Sequence, residues 1–269
     1  MRIFMFPCRG DIPLESHTHN EEPMKKTALF IPCAVNLLLP QVARATDLVL
    51  QRLGVATVYP GGQTCCGQMV YNKGFFDQAK SFARHFIRVF ENHDAIVCPS
   101  GSCTAMVKHH YPVLFDDEPD MKNRAEQVAG KIFEFSQYIV DVLKTENTGA
   151  CFDGKVAYHE SCHLNRSLGV SAQPKALIRA SEKTSLVPMN QSDQCCGFGG
   201  EFSIAYPEIS GAMVQGKVKN YLESGADILV LGEPGCLLNI GTYLSRNHPE
   251  KKAMHIAEFL LGPGERHGR

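Results

Sequence analysis

Eight of the eleven cysteines in this 269-residue chain form two arrays of nearly equal spacing. In the first half, a single cysteine is followed after 31 residues by a Cys-Cys-Gly run, and after 35 more by another single cysteine: Cys33, Cys65, Cys66 and Cys103. In the second half, the corresponding gaps are 32 and 38 residues: Cys162, Cys195, Cys196 and Cys236. Thiolates bind zinc or the irons of iron–sulfur clusters, so each array predicts a metal centre held by three separate segments.

The adjacent cysteine pair indicates which kind of centre this is. Neighbouring side chains point in different directions, so both reach one small metal ion only with strain, whereas a cluster offers separate irons. The glycines that follow the pairs, Gly67 and Gly197, leave out a side chain where the backbone turns close to the site. This favours one or two iron–sulfur clusters over zinc. Two structural zinc sites remain an alternative, and a disulfide between Cys65 and Cys66 would leave the other cysteines unexplained.

Three further residues are secondary candidates for the site. Cys98 lies five residues before Cys103, and His159 and His163 flank Cys162. A histidine in this place would replace a cluster ligand or carry a proton near neutral pH. The alternative is an ordinary loop histidine that is solvated or hydrogen-bonded.

The segments that carry the cysteines alternate between strand and helix patterns. Short apolar runs at residues 27–31, 55–59, 95–98 and 227–231 predict strands. Residues 42–53 and 75–90 have helical periodicity, with Phe75, Phe82, Phe86 and Phe90 on one face. Residues 133–143 predict a further helix, which is echoed at residues 255–261. The alternation predicts an α/β fold of βαβ units with mostly parallel sheets and the cysteine loops at the carboxyl ends of the strands.

The sequence context of the cysteines is duplicated as well. TALFIPC at residues 27–33 corresponds to VAYHESC at residues 156–162, and PSGSC at 99–103 corresponds to GEPGC at 232–236. We therefore predict an N-terminal arm (residues 1–23, disordered or not translated), a first repeat (24–144), a linker (145–154) and a second repeat (155–269).

Residues 24–45 have the lysines, apolar run and small-residue ending of an export signal. Their counterpart in the second repeat cannot be one, and cleavage after Ala45 would remove Cys33. We therefore interpret this segment as the start of the first repeat and expect a cytoplasmic protein with reduced thiols.

Composition excludes some partners. The formal net charge is −1, from 27 basic and 28 acidic residues, so the chain has no net positive charge that would attract nucleic acid. No apolar run reaches the roughly 18 to 20 residues of a membrane span.

The arrays resemble the cysteine-rich CCG domain family, which is found in the heterodisulfide reductase B subunit, the glycolate oxidase iron–sulfur subunit and the lactate utilization protein A group. The stretches QTCCGQMVYNKG, PSGSCTAMVKHHYP, YHESCHLNRSLG and CCGFGGEFS are most similar to the last group. One departure is clear: the fullest family pattern ends in Cys-x-x-Cys, and Ser100 and Glu233 replace its first cysteine here. Ligation by four thiolates in each half is therefore expected, in place of five.

This resemblance implies an iron–sulfur subunit of a complex that oxidises L-lactate to pyruvate, with clusters of 4Fe-4S type. It implies two partners from the same pathway, one of them a ferredoxin-like iron–sulfur subunit, and leaves open a peripheral membrane contact made through these partners. A thiol–disulfide oxidoreductase of heterodisulfide reductase type and a zinc-binding assembly scaffold are the alternatives. The sequence has no convincing dinucleotide or flavin motif, so a partner is expected to supply the two-electron acceptor that lactate oxidation needs.

Overall fold

The computed structural model describes residues 27–262, which form two four-stranded parallel sheets. The strands of the first sheet are β1 Thr27–Leu29, β2 Thr57–Val58, β3 Ala95–Cys98 and β4 Ile132–Glu134. Those of the second are β5 Cys151–His159, β6 Glu182–Leu186, β7 Ile228–Leu231 and β8 Lys252–His255. The orders β2-β1-β3-β4 and β6-β5-β7-β8 are the same, which confirms the α/β fold of two similar repeats. The predicted N-terminal arm lies outside the described residues.

Helices connect the strands in both repeats. In the first repeat they are α1 Cys33–Leu38, α2 Pro40–Arg52, α3 Gln68–Asn72, α4 Phe76–Phe90, α5 Gly101–Ala105, α6 Tyr111–Leu114, α7 Pro119–Lys131 and α8 Phe135–Gln137. In the second they are α9 Ala172–Ala180, α10 Phe202–Ala205, α11 Pro207–Glu223, α12 Pro234–Asn247 and α13 Ile256–Leu261. Three π-helical turns complete the set: Met106–His110, Tyr138–Val142 and His163–Ser167.

Helix α4 shows how the sequence pattern builds the core of the first repeat. Its buried face consists of Ala79, Ala83, Phe86, Ile87 and Phe90. The Phe86 ring meets Phe30, just beyond β1, edge to face at 4.8 Å between ring centres. Phe75, predicted to belong to the same stripe, precedes the helix and is 52% exposed. The helical prediction is otherwise confirmed.

Two edge strands were not expected from the sequence. Residues 133–143 and 255–261 were predicted as helices, but β4 and β8 occupy the start of these regions and the helices begin at Phe135 and Ile256. Each strand ends on a residue whose side chain caps the next helix. The Glu134 carboxylate accepts from Ser136 N at 2.8 Å, and His255 Nδ1 accepts from Ala257 N at 3.2 Å. These polar caps stop the helix from extending back into the strand.

The two repeats pack against each other through reciprocal helix contacts. Helix α13 of the second repeat packs on α2 of the first, and α8 of the first packs on α9 of the second. Arg52, at the end of α2, donates hydrogen bonds to the carbonyls of Thr148, Leu260 and Leu261 at 2.9–3.1 Å. Strand β5 begins at Cys151, inside the range predicted as a linker.

The described part of the signal-like segment is structural. Residues 27–45 form β1, α1 and the start of α2, with Val35, Val42 and Ala45 buried in the core. These residues are therefore part of the folded core. Across residues 27–262, no helix combines the length and apolarity that crossing a membrane requires.

Candidate metal centres

All eight array cysteines follow the carboxyl ends of strands, as the sequence predicted. Cys33 begins α1 after β1, the Cys65-Cys66 pair follows β2, and Cys103 lies in α5 after β3. The second repeat repeats this placement after β5, β6 and β7. Parallel strands bring their carboxyl ends to one edge of a sheet, so three sequence segments converge at each site.

In the first repeat, the four thiols lie side by side. The sulfurs of Cys33 and Cys65 are 3.7 Å apart, and those of Cys66 and Cys103 are 3.4 Å apart. A hydrogen bond between the Cys65 and Cys66 thiols joins the two pairs. The four sulfurs therefore form one continuous group.

The second repeat forms the same group, with one closer contact. The sulfurs of Cys196 and Cys236 are 3.0 Å apart, and both residues are buried. Hydrogen bonds link the Cys195 thiol to Cys162 on one side and to Cys196 on the other. The structure thus brings together all four predicted cysteines in each half.

The surroundings favour the thiolate at one position of each pair. Hydrogen bonds from Cys33 and Cys66 lower the pKa of Cys65 to about 3, and the Gly67 N–H adds to the effect. In the second repeat, hydrogen bonds from Cys162 and Cys196 lower the pKa of Cys195 to about 2. Because the thiolate is the form that binds metal, these sulfurs are prepared as ligands.

The backbone conformation explains why a glycine follows each cysteine pair. Gly67 and Gly197 have φ angles of 81° and 83°, in the left-handed region that other residues rarely adopt. This turn directs the Gly67 N–H at the Cys65 sulfur and the Gly197 N–H at the Cys195 sulfur, each at 3.4 Å. The space is also closed, since a Cβ on Gly197 would lie 2.9 Å from the Ser210 carbonyl oxygen.

Three residues that were not predicted hold the cysteine loops in place. Tyr111 Oη donates to the Cys66 carbonyl at 2.9 Å, and Asn239 Nδ2 donates to the Cys196 carbonyl at 2.9 Å. Gln63 accepts from Ile31 N at 2.8 Å and so fastens the first loop to the end of β1. No motif marks these residues, because their role depends on how distant segments meet.

Two secondary candidates have partners other than a metal. Cys98 is fully buried, and its thiol donates to the Ser100 carbonyl at 3.6 Å. His163 Nε2 lies 3.4 Å from Gln68 Nε2, which can only donate, so His163 Nε2 accepts. The proton is then on His163 Nδ1, which lies 3.6 Å from the Cys162 sulfur and donates to it. His163 thus links a site cysteine to the first repeat.

The third candidate, His159, lies inside the second site. A ring nitrogen of His159 and the sulfurs of Cys196 and Cys236 are all within 4.8 Å of one another, and all three residues are buried.

A second buried group, centred on Glu233, lies between the repeats. The Glu233 carboxylate accepts from Ser102 N at 2.8 Å and from Ser100 Oγ at 3.2 Å, and burial raises the pKa of Glu233 to about 7.

These arrangements fit a metal centre in each repeat. In each repeat, sulfurs supplied by three loops converge, with neighbouring sulfurs as close as 3.0–3.7 Å, so one metal centre could be held between them. In the second repeat, the fully buried His159 Nε2 has no hydrogen bond to nitrogen or oxygen among residues 27–262, and the His159 ring interacts with the Cys236 sulfur, as expected of a nitrogen donor beside the site thiolates. Both zinc and iron–sulfur clusters use this donor set.

Comparison with known proteins gives two kinds of similarity. The family profile described as a cysteine-rich domain, CCG, matches residues 27–108 and again residues 156–241. The chain is 45% identical over 239 residues to Lactate utilization protein A of an Exiguobacterium species, which covers 88% of this chain and 97% of that protein. It is 43% identical over 235 residues to the protein of the same name from a Geobacillus species, at 87% and 98% coverage.

Among solved structures, a hypothetical protein from Helicobacter pylori has a similar fold. The TM-score is 0.60 at 15% identity, and the match covers 89% of this chain and 49% of that one. At this identity the similarity concerns the fold alone. The chain spans about half the length of the H. pylori protein.

Proposed function

The chain belongs to the cysteine-rich CCG domain family, and from this membership we propose that it is an iron–sulfur electron-transfer subunit of a multiprotein system that oxidises L-lactate to pyruvate. Relatives that are 43–45% identical over most of the chain are named for lactate utilization. The observation that carries the proposal is the duplicated group of four contacting thiols.

Each repeat would hold one cluster of 4Fe-4S type. The ligands would be the cysteines of its own array: Cys33, Cys65, Cys66 and Cys103 in the first repeat, and Cys162, Cys195, Cys196 and Cys236 in the second. Bound clusters would supply one-electron transfer. The chain's own residues would position the thiolates and keep water away from the buried Cys66, Cys196 and Cys236.

Oxidation of lactate to pyruvate removes two electrons and two protons, whereas a cluster passes electrons singly. A partner would therefore accept the electron pair from the substrate. We propose two partners from the same lactate utilization system, one of them a ferredoxin-like iron–sulfur subunit. The cytoplasm, where thiols stay reduced, is the compartment in which this chemistry fits.

The first test is the content of iron, acid-labile sulfide and zinc in protein purified without oxygen. About eight irons with matching sulfide would support two four-iron clusters, and about four would support one. Cys65→Ser and Cys195→Ser should each remove the iron of one repeat. Cys98→Ala is the matched control, because Cys98 is buried and bonded to the Ser100 carbonyl, and its loss should leave the iron content unchanged.

Two results would redirect the assignment. Zinc without sulfide would remove the electron-transfer role and favour an assembly scaffold. Reduction of a disulfide substrate by the pure protein, together with normal growth on lactate after deletion of the gene, would favour a thiol–disulfide oxidoreductase.

A further inference from the structure

One ring nitrogen of His159 has a defined hydrogen-bond partner. It ends β5, is fully buried, and its Nδ1 lies 3.2 Å from the Ser192 carbonyl oxygen. A carbonyl can only accept, so Nδ1 carries the proton and Nε2 presents a lone pair. This Nε2 has no hydrogen bond to nitrogen or oxygen among the described residues, and the His159 ring interacts with the Cys236 sulfur.

A ring nitrogen of His159 lies close to two cysteine sulfurs. His159 forms a buried group with Cys196 and Cys236, with the candidate ligand atoms within 4.8 Å of one another. An unpaired nitrogen in a buried site costs free energy unless something binds it. Histidines that bind metals commonly donate their other ring N–H to a carbonyl or carboxylate, which is the relationship between His159 and Ser192.

We infer that His159 Nε2 is a nitrogen ligand of the metal centre in the second repeat, beside the sulfurs of Cys196 and Cys236. The inference rests on the metal centres of the proposed function and concerns their ligand chemistry. It makes the second centre a mixed nitrogen and sulfur site.

The first repeat has no equivalent nitrogen. In the repeat alignment, Phe30 is in the position of His159. Phe30 is fully buried and packs on Phe86 and Phe90, with ring centres 4.8 and 5.6 Å away. At this position the second centre therefore has a nitrogen ligand, His159, whereas the first centre has a hydrocarbon ring, Phe30.

The neighbouring His163 is a natural control. Its Nε2 lone pair faces Gln68, and its Nδ1 proton faces the Cys162 sulfur, so neither nitrogen is available to a metal. It differs from His159 in this respect although both lie close to the same four cysteines.

The test uses the full chain, purified without oxygen, chemically reduced and studied by pulsed electron paramagnetic resonance with natural and ¹⁵N-labelled histidine. We expect a nitrogen coupling that changes with the isotope in the wild type, in a Cys65→Ser background that isolates the second centre, and in His163→Asn. It should be lost in His159→Phe. If His159→Phe does not fold, the isotope effect in the wild type and its persistence in His163→Asn still test whether His159 binds the centre.

An iron-loaded wild type without histidine nitrogen coupling would overturn the inference, as would a coupling that persists in His159→Phe. Failure of the proposed function is a separate result. If the metal is zinc, X-ray absorption at the zinc edge should show one nitrogen neighbour fewer in His159→Phe, and an unchanged nitrogen count would reject His159 as a ligand.

Discussion

Ser100 Oγ donates a hydrogen bond to the Glu233 carboxylate at 3.2 Å, although the two residues are 133 positions apart in the chain. Each residue is the N-cap of the helix that carries the last cysteine of its array, α5 in the first repeat and α12 in the second. The backbone N–H and hydroxyl of Ser102 also donate to Glu233, at 2.8 and 3.0 Å. Equivalent positions of the two repeats therefore contact each other directly beside the two sites.

Removal of this carboxylate should destabilise the protein. Glu233→Ala removes the carboxylate that accepts from three donors on the buried Ser100 and the half-buried Ser102, so the free energy of unfolding should fall by about 1–3 kcal/mol. Glu233→Gln keeps an acceptor oxygen, so its free energy of unfolding should fall by a smaller amount. Denaturant unfolding measures both.

Glu223→Ala is the control, since Glu223 is exposed on α11 and its loss should change stability by less than about 0.5 kcal/mol. A double-mutant cycle with Ser100→Ala should show coupling between Ser100 and Glu233. Additive effects would show that the contact contributes nothing to stability.

Glu134 should make stability depend on pH. Burial raises the pKa of Glu134 from 4.5 to about 7, so the folded protein keeps a proton that the unfolded chain has lost. Its contribution is fully present below pH 4.5 and declines as pH rises to about 7. The decline is about 3 kcal/mol, because one pKa unit corresponds to about 1.4 kcal/mol.

The measurement is the free energy of unfolding at several pH values for the wild type and Glu134→Gln. The difference between them should change in favour of the variant as pH rises through this window. Glu126→Gln, on the exposed face of α7, should run parallel to the wild type. A constant difference for Glu134→Gln would contradict the prediction.

A methyl group at Gly197 should be costly. Gly197→Ala combines a φ of 83° with a contact of 2.9 Å to the Ser210 carbonyl oxygen, so we expect a loss of about 1–3 kcal/mol and weaker metal retention in the second repeat. Gly67→Ala meets the Phe82 side chain at 3.0 Å and should affect the first repeat in the same direction.

Gly216 offers the matched comparison within the same repeat. It lies inside α11, and a Cβ there would meet nothing within 4 Å. Gly216→Ala should therefore stabilise the protein by about 0.5–1 kcal/mol. Equal effects of Gly197→Ala and Gly216→Ala in thermal unfolding would refute the role assigned to the turn.

Arg52 should hold the two repeats together. Arg52→Met removes its hydrogen bonds to the carbonyls of Thr148, Leu260 and Leu261, and a cost of about 1–3 kcal/mol is expected. Arg52→Lys should retain only part of this stability, because an ammonium group cannot reproduce the planar fork of the guanidinium. Arg88→Met on the exposed face of α4 should be close to neutral, and unfolding curves of all three variants provide the check.

The cysteine arrays and the order of elements could be predicted from the sequence because they repeat, and because apolar runs such as β1 and β3 are separated from the helices that follow them. The edge strand β4 could not, since its three residues run directly into an apolar helix and show no alternation of their own. The same holds for β8.

The contacts between the repeats were also beyond sequence reasoning. Ser100 and Glu233 were each recognised as departures from the family pattern, but nothing in either segment shows that they meet. Their contact depends on how the two sheets pack around the hydrophobic core that they share. Gln63, Tyr111 and Asn239 escaped notice for a related reason, since each holds a loop through the backbone of a distant residue.

The reciprocal packing of the two repeats is similar to the packing of subunits in a symmetric dimer. The last helix of each half lies on the first long helix of the other, as α13 does on α2 and α8 on α9, so each half presents the same pair of surfaces. Within one chain this is the isologous contact of a twofold dimer. The two repeats are thus arranged like the subunits of a twofold dimer and are joined through residues 143–150. Because they belong to one chain, the two copies can differ in sequence, as they do at Phe30 and His159.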